Sequence, residues 1–367
     1  MSPRGRPAEI PAWADLALLP LLNLGAALGA SGLLIVIIGE DPRRAMATLA
    51  AGAFGSAESL GYTLYYTTNF IFTGLAVAFH AGLFNIGGEG QAYIGGLGVG
   101  LLCLAAGGLP FGLVLPLAIG CAALCGAGWA FVPAVLQAKR GSHVVITTIM
   151  FNFIASALMT YLLVNVLIKP GQQSPETREF AVNTWMPAAH EMLGWMGIPA
   201  GVSPLNLSFV CAIVCSILVW GYIWHTRWGY ELRVLGQNEM AAIYGGISPA
   251  RTIVLAMTIS GALAGFVGLN EIMGVHHRLL LNFTGGYGYA GIAVALMGRN
   301  HPLGIALAAL LFGALYQGGS ELAFEVPALT REMVVVVQGL IILLCGALEN
   351  MFRPFLAARL ARVVPAR

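Results

Sequence analysis

Phe111-Gly-Leu-Val-Leu-Pro-Leu-Ala-Ile-Gly-Cys-Ala-Ala-Leu-Cys-Gly-Ala-Gly-Trp-Ala-Phe-Val-Pro-Ala-Val-Leu-Gln137 runs for 27 residues without an acidic, basic or histidine side chain. A helix needs about 20 apolar residues to cross the hydrocarbon of a bilayer. A soluble helix would show one polar face, and this stretch has none. It therefore reads as a membrane span. Further apolar runs cover 16–39, 62–79, 83–106, 144–168, 207–224, 252–274, 287–298, 303–319 and 333–348. The expected fold is all-α: a polytopic membrane protein of about 10 transmembrane or re-entrant helices, forming one transmembrane domain over residues 1–367. The run 287–298 is too short to span alone. It reads as re-entrant, or as extending back through Phe283.

Composition agrees. Of the 367 residues, 58% are apolar, 48 are Gly and only 9% are charged. An ordinary soluble domain carries about 25% charged residues, so a water-soluble globule is excluded. Disorder requires the opposite composition, and an outer-membrane barrel would alternate apolar with polar residues. A net charge of +2 is too small for a nucleic-acid reader, so the expected environment is the lipid bilayer, with no nucleic-acid partner. The first run exceeds the roughly 7–15 apolar residues of a signal peptide and reads as a retained span.

Ten passes put both termini on one side. With the N-terminus cytoplasmic, twelve of the 18 Lys and Arg residues fall inside and six outside, the bias expected of that orientation. Residues 1–15 are then a cytoplasmic segment, 169–206 an outer loop, 226–250 a cytoplasmic loop and 349–367 a basic cytoplasmic tail. Arg43 and Arg44 fit worst, and the stretch they open, through Leu60, reads as an interfacial amphipathic helix. Five prolines between 169 and 206 forbid a single helix there, so that loop reads as a partly ordered cap. Pro110-Phe-Gly112 and Pro302-Leu-Gly304 open spans entering from opposite sides, which suggests an inverted repeat of two five-span halves.

The familiar catalytic signatures are missing. Lys139 and Lys169 do not stand in a P-loop, His190-Glu191 lacks the second His of a zinc-protease helix, and there is no Gly-x-Ser-x-Gly elbow. Gly286-Tyr-Gly-Tyr-Ala-Gly291 matches the dinucleotide pattern but lacks a preceding strand and a following acid. Cys121/Cys125 and Cys211/Cys215 are i,i+4 pairs without a His or carboxylate beside them, and read as small buried residues. No catalytic residue and no metal site are expected.

Polar groups at membrane depth need a reason. The clearest set lies in Phe84-Asn-Ile-Gly-Gly-Glu-Gly-Gln91. Gly87, Gly88 and Gly90 loosen a helix around Glu89, and such a break is tolerated only where it is buried in protein or lines a cavity. In one reading Asn85, Glu89 and Gln91 border a transport path. In the other they bond to neighbouring helices and never meet substrate. Asn152 could hydrogen-bond substrate or tie two helices together. Asn270 and Glu271, late in the seventh span, are further candidates, although Glu271, His276, His277 and Arg278 read as a solvated ion pair near the outer interface. Gly25/Gly29, Gly96/Gly100 and Gly261/Gly265 have the small-xxx-small spacing of close helix packing.

The loop Gly229–Ser248 differs from the spans. Leu232 and Leu235, then Met240, Ile243 and Tyr244, are spaced as helical apolar faces broken at Gly236, Asn238 reads as an N-cap, and Gly245-Gly246 ends the helix. A short helix of this kind suits docking into a partner's groove, or lying on lipid.

These residues resemble a known family. Phe84–Gln91, Gly229–Ser248 and Gly291-Ile-Ala-Val-Ala-Leu-Met-Gly-Arg-Asn-His-Pro-Leu-Gly304 are similar to the permease subunits of bacterial ABC importers for nucleosides and simple sugars, in the wider group of ribose and branched-chain amino-acid permeases. The resemblance runs from about 42 to 348. It implies a multi-pass subunit of the bacterial inner membrane, paired with a second permease, sibling or identical. A cytoplasmic ATPase that uses ATP and Mg would drive it, and an extracytoplasmic binding lipoprotein would deliver substrate. The chain itself would hold no cofactor. The resemblance places the ATPase-coupling helix at Asn238, Glu239, Ala241, Ala242, Tyr244, Gly245 and Gly246. One departure is Val144, where the family usually has an acid. The competing reading is a secondary transporter driven by an ion gradient, with Glu89 as its coupling site.

Overall fold

The computed structural model describes residues 18–195, 197, 201–326, 329–330 and 332–344. The expected terminal segments 1–15 and 349–367, the ends of the first and last spans and Cys345 lie outside the described residues. The chain divides into two compact units: Ala53–Ala314, and Met1–Gly52 with Leu315–Arg367.

The described chain is helical, and its only β pairings are two isolated bridges. In order the helices are α1 (Leu19–Ile38), α2 (Pro42–Phe54), α3 (Ala57–Gly74), α4 (Gly88–Ala105), α5 (Phe111–Arg140), α6 (Val144–Asn165) and α7 (Ala189–Trp195). Then come α8 (Ser208–His225), α9 (Arg227–Gln237), α10 (Glu239–Tyr244), α11 (Pro249–Gly265), α12 (Tyr287–Met297), α13 (Pro302–Glu325) and α14 (Glu332–Leu344). Among the described residues, five stretches are long and apolar enough to cross a membrane: Phe111–Arg140, Val144–Asn165, Ser208–His225, Pro249–His276 and Pro302–Glu325. Leu22–Ile38, Tyr287–Met297 and Glu332–Leu344 are shorter apolar helices.

The expected spans 62–79 and 83–106 became α3 and α4, shifted and more polar than a lone span. The reason is burial. Eleven of 18 residues in α3 and twelve of 18 in α4 are buried, against seven of 30 in α5. Helices enclosed by protein need no apolar face for lipid. The expected interfacial helix through Leu60 is instead α2 followed by a new start at Ser56, whose hydroxyl caps α3 by accepting from Ser59 N–H at 3.0 Å.

The buried residues of α5 fall mostly four apart: Val114, Ala118, Ala122, Gly126, Ala130 and Ala134. This stripe of small residues lies along α11. Gly126 abuts the carbonyl of Gly261, Gly261 abuts Ala130, and Gly265 fits between Ala122 and Gly95 of α4. Gly96 faces Phe283, and Gly100 faces Leu279. Gly25 and Gly29 differ from expectation, since neither has another described group within 4 Å of where a Cβ would stand. Gly261→Ala should therefore destabilise the fold by about 1–3 kcal/mol through overpacking. Gly128→Ala on α5, where a Cβ meets open space, should be neutral or better. Thermal unfolding of the purified chain in detergent measures both.

α11 runs on through a π-helical segment, Leu269–His276. The chain then turns through residues 281–286, with Asn282, Gly285 and Gly286 in left-handed conformations. α12 thus starts at Tyr287 and does not extend back through Phe283. The sequence also repeats here. Gly87-Gly-Glu-Gly-Gln-Ala92 opens α4, and Gly285-Gly-Tyr-Gly-Tyr-Ala290 opens α12. The two Pro-x-Gly sites follow, opening α5 and α13.

Residues 169–206 hold a 3-10 turn, Val182–Thr184, and α7. They are stitched to the chain after the π-helix. Glu176 bridges to Leu280, Arg278 pairs with Glu176 at 3.1 Å, and Trp185 stacks on His277 with ring centroids 3.9 Å apart. α8 is pinned at its ends. Ser208 donates to Asn270 Oδ1 at 2.7 Å, and near the other end the Trp224 ring stands edge-on to the His80 ring with centroids 5.6 Å apart. Between them an apolar groove of about 470 Å³ separates α8 from α5 and α11, lined by residues such as Val214, Leu218, Ile259 and Leu263.

In the other unit, Thr48 of α2 donates to Glu325 of α13 at 3.2 Å, and Gln338 of α14 donates to the Leu315 carbonyl at 2.6 Å.

Candidate functional site

The glycine-rich stretch lies at the start of α4 rather than inside a helix. α3 ends at Gly74, a 3-10 helix covers Val77–Ala81, and Gly82 turns the chain at φ +73°. Asn85 Oδ1 then accepts from Gly87 N–H at 2.9 Å, and its amide donates to Gln91 Oε1 at 3.2 Å. Glu89 occupies the first turn of α4, where the N-terminal end of the helix dipole favours a negative charge. Its carboxylate serves a second helix as well. It accepts from Gly286 N–H at 3.1 Å, from Gly288 N–H at 2.8 Å and from the Thr284 hydroxyl. These donors open α12. One carboxylate therefore holds two helix N-termini together.

The approach is close enough that only glycine fits. A Cβ on Gly288 would collide with the backbone of Gly88 and Glu89. Asn152 of α6 locks the arrangement. Its Oδ1 accepts from Gly90 N–H at 2.9 Å, and its amide donates to Ile86 O at 2.9 Å and to the Tyr289 hydroxyl at 3.3 Å. The structure thus brings Asn85, Gly87, Gly88, Glu89, Gly90, Gln91 and Asn152 into one junction, each polar side chain bonded within the protein. Thr284, Gly286, Gly288 and Tyr289 belong to the junction too, and sequence reading missed them. The repeated Gly-Gly-x-Gly-x-Ala was the signal that would have found them.

The group expected to be a solvated ion pair is a correction. Glu271 is only 2% exposed. It lies on the π-helix, accepts from the Tyr65 hydroxyl at 2.6 Å and from the Asn69 amide, and stands 3.4 Å from His276 Nε2. Asn270 beside it donates to Asn69 Oδ1 and to the Tyr65 carbonyl, and accepts from Asn206 and Ser208. The sequence showed an acid near two His but not the Tyr and Asn of α3, about 200 residues away in the chain. Glu271→Ala would leave two buried donors unpaired. It should cost at least about 2 kcal/mol, and more than Glu271→Gln, which keeps an acceptor. Thermal unfolding of the two variants tests the difference.

Residues 226–250 form a two-helix arm that breaks at Asn238 and not, as expected, at Gly236, which lies within α9. Thr226 caps α9 by accepting from Gly229 N–H at 3.1 Å, and Arg227 pairs with Glu231 at 2.9 Å. Asn238 caps α10 by accepting from Ala241 N–H at 3.0 Å. Gly246 at φ +76° ends it, and Ile247 N–H returns to the Ala242 carbonyl at 2.9 Å. Ala242 is fully buried. Asn238, Glu239, Ala241, Gly245 and Gly246 are exposed, as are Met240, Ile243 and, at 97%, Tyr244. A tight capped helix thus presents an apolar face outward. Val144, at the start of α6, is buried, and the neighbouring His143 side chain makes no cap bond.

Comparison with known proteins shows the family. Residues 59–346 match the family model described as the branched-chain amino acid transport system / permease component. The guanosine ABC transporter permease protein of Bacillus subtilis is 35% identical over 89% of this chain and 92% of its own length. The glucose ABC transporter permease protein of Haloferax volcanii is 35% identical over 91% and 88%. The nucleoside ABC transporter permease protein NupB of Lactococcus lactis is 33% identical over 89% of each. No solved structure matches. The chain belongs to this family of ABC-transporter permeases: it is a multi-pass membrane translocation subunit, not an enzyme. The comparisons support the ATP-driven reading and not the ion-gradient alternative.

Proposed function

We propose that this chain is the permease of an importer for nucleosides or simple sugars, lying in a bacterial inner membrane with both termini cytoplasmic. In that assembly a cytoplasmic ATPase hydrolyses Mg-ATP, a second permease completes the pathway, and an extracytoplasmic lipoprotein delivers substrate. The observation that carries this reading is α10: six residues, capped at both ends, with Tyr244 97% exposed beside Met240 and Ile243. An apolar face of that kind on a rigid short helix fits a groove in a partner. Relatives named for guanosine, nucleoside and glucose transport support the substrate class. Closure of the ATPase pair would move α9 and α10, and the Glu89 junction would move with them in a rigid-body, alternating-access step.

The test is affinity purification of the tagged chain from its native host, followed by reconstitution into vesicles. An ATPase, a second permease and a lipoprotein should co-purify, and vesicles should accumulate guanosine or glucose only with ATP. Accumulation by this chain alone on a proton or sodium gradient would overturn the proposal.

A further inference from the structure

α9 meets the rest of its unit at a point where no side chain fits. A Cβ on Gly236 would collide with the carbonyl oxygen of His80. His80 belongs to the 3-10 helix Val77–Ala81, which lies between the end of α3 and the start of α4. Its ring Nε2 donates to the carbonyl of Asn300 at 2.8 Å, in the turn that joins α12 to α13. The ring of Trp224, near the end of α8, stands edge-on to the His80 ring at 5.6 Å and lies 5.0 Å from the ring of His301. On the other side, Ala78 N–H donates to the Ser260 hydroxyl of α11 at 2.8 Å.

We propose that His80 and Gly236 form the transmission joint through which displacement of α9 and α10 reaches the Glu89 junction. The inference rests on reading α10 as the ATPase contact. Because Gly236 abuts a carbonyl oxygen, a push from α9 acts on the His80 backbone and not on a flexible side chain. That backbone continues through Gly82 to Asn85 and the start of α4. The His80 ring simultaneously holds Asn300, at the far end of α12. One residue thus reaches both halves of the Glu89 junction, along the chain to α4 and across a hydrogen bond to α12. The joint also holds unused bonding capacity. Among the described residues, Arg233 Nε and Asn300 Oδ1 are buried without a hydrogen-bond partner. Arg233 precedes Gly236 by three residues and so shares its face of α9. A donor on the arm and an acceptor in the turn that His80 grips are complementary, and movement of α9 towards that turn pairs them.

The experiment uses the assembled transporter in vesicles and needs no knowledge of the substrate. Three quantities are read: retention of the ATPase, ATP hydrolysis, and the ATP-dependent change in labelling of Phe84→Cys by a water-soluble maleimide. With an otherwise native permease, ATP should change the labelling rate by about ten-fold. Gly236→Ala and His80→Ala should abolish that change while retention and hydrolysis persist, and His80→Gln, which can still donate to Asn300, should restore it. Alanine is the better helix former, so if Gly236 served α9 alone, Gly236→Ala would leave the change intact. Variants that keep the change, or that lose it only together with ATPase retention, would overturn the joint, as would a native complex in which ATP leaves labelling unaltered. A native chain that retains no ATPase would instead overturn the reading of α10 and the joint with it.

Discussion

Glu89→Gln should lower ATP-driven uptake about ten- to hundred-fold while the ATPase still co-purifies. The side chains are nearly identical in shape, so packing is conserved. What changes is the bonding. The carboxylate accepts from Thr284, Gly286 and Gly288, and a hydrogen bond to a charged group contributes about 1.5–3 kcal/mol. Gln removes the charge that both helix N-termini face and turns one acceptor into a donor. At Gly288 that places a donor against a donor, in a space too close for either backbone to retreat. Losing about 1.4–2.8 kcal/mol from one conformation corresponds to one or two decades in its population. Uptake assays in vesicles give the magnitude. Loss of the whole assembly instead would make Glu89 a folding residue alone. Thr284→Val, which deletes one of the donors, should reproduce part of the defect.

Ala242→Pro should abolish transport, with uptake down more than about a hundred-fold, and leave membrane insertion normal. Ala242 N–H donates to the Asn238 carbonyl at 3.0 Å, within a helix of only six residues. Proline deletes that bond and presses its ring against the same carbonyl, at a cost of about 3 kcal/mol. So short a helix has no further turns to absorb the loss. Met240, Ile243 and Tyr244 would no longer share one face. α9 is capped separately by Thr226, so it should survive, and the defect should appear as lost ATPase retention. Pull-down of the ATPase from detergent extracts reads this directly. Uptake at the native level in this variant would discredit the docking role of α10.

The sequence made some levels of this molecule legible and hid others. α5, α6 and α8 were read nearly to their ends, because helices facing lipid must be apolar all round and so announce themselves. α10 was read to the residue, because the Asn238 cap and the Gly245-Gly246 stop are local chemistry. α3 was misplaced, since a helix enclosed by protein carries Thr, Tyr and Asn that look wrong for a span. Glu271 was misread for a related reason. Its partners Tyr65 and Asn69 lie far off in sequence, and the two His beside it suggested solvent. At Glu89 the acid and its glycines stood out, whereas the second helix start was hidden inside a pattern dismissed as a poor nucleotide-binding match. Side chains that bond to distant backbone leave no local mark on the sequence.

One feature carries over to how such a subunit behaves in different lipids. α8 is held near both ends, by Ser208 on Asn270 and by the Trp224 ring on His80, with an oily gap along its flank. Its 18 residues make a strut about 27 Å long at 1.5 Å per residue, with the 169–206 cap at one tip and the α9–α10 arm at the other. A load on either tip travels along the strut as compression or tension, and any bowing would change the width of the gap. Transport rate is therefore expected to vary with membrane thickness and acyl-chain stiffness, as a mechanical impedance added by the solvent to that of the protein.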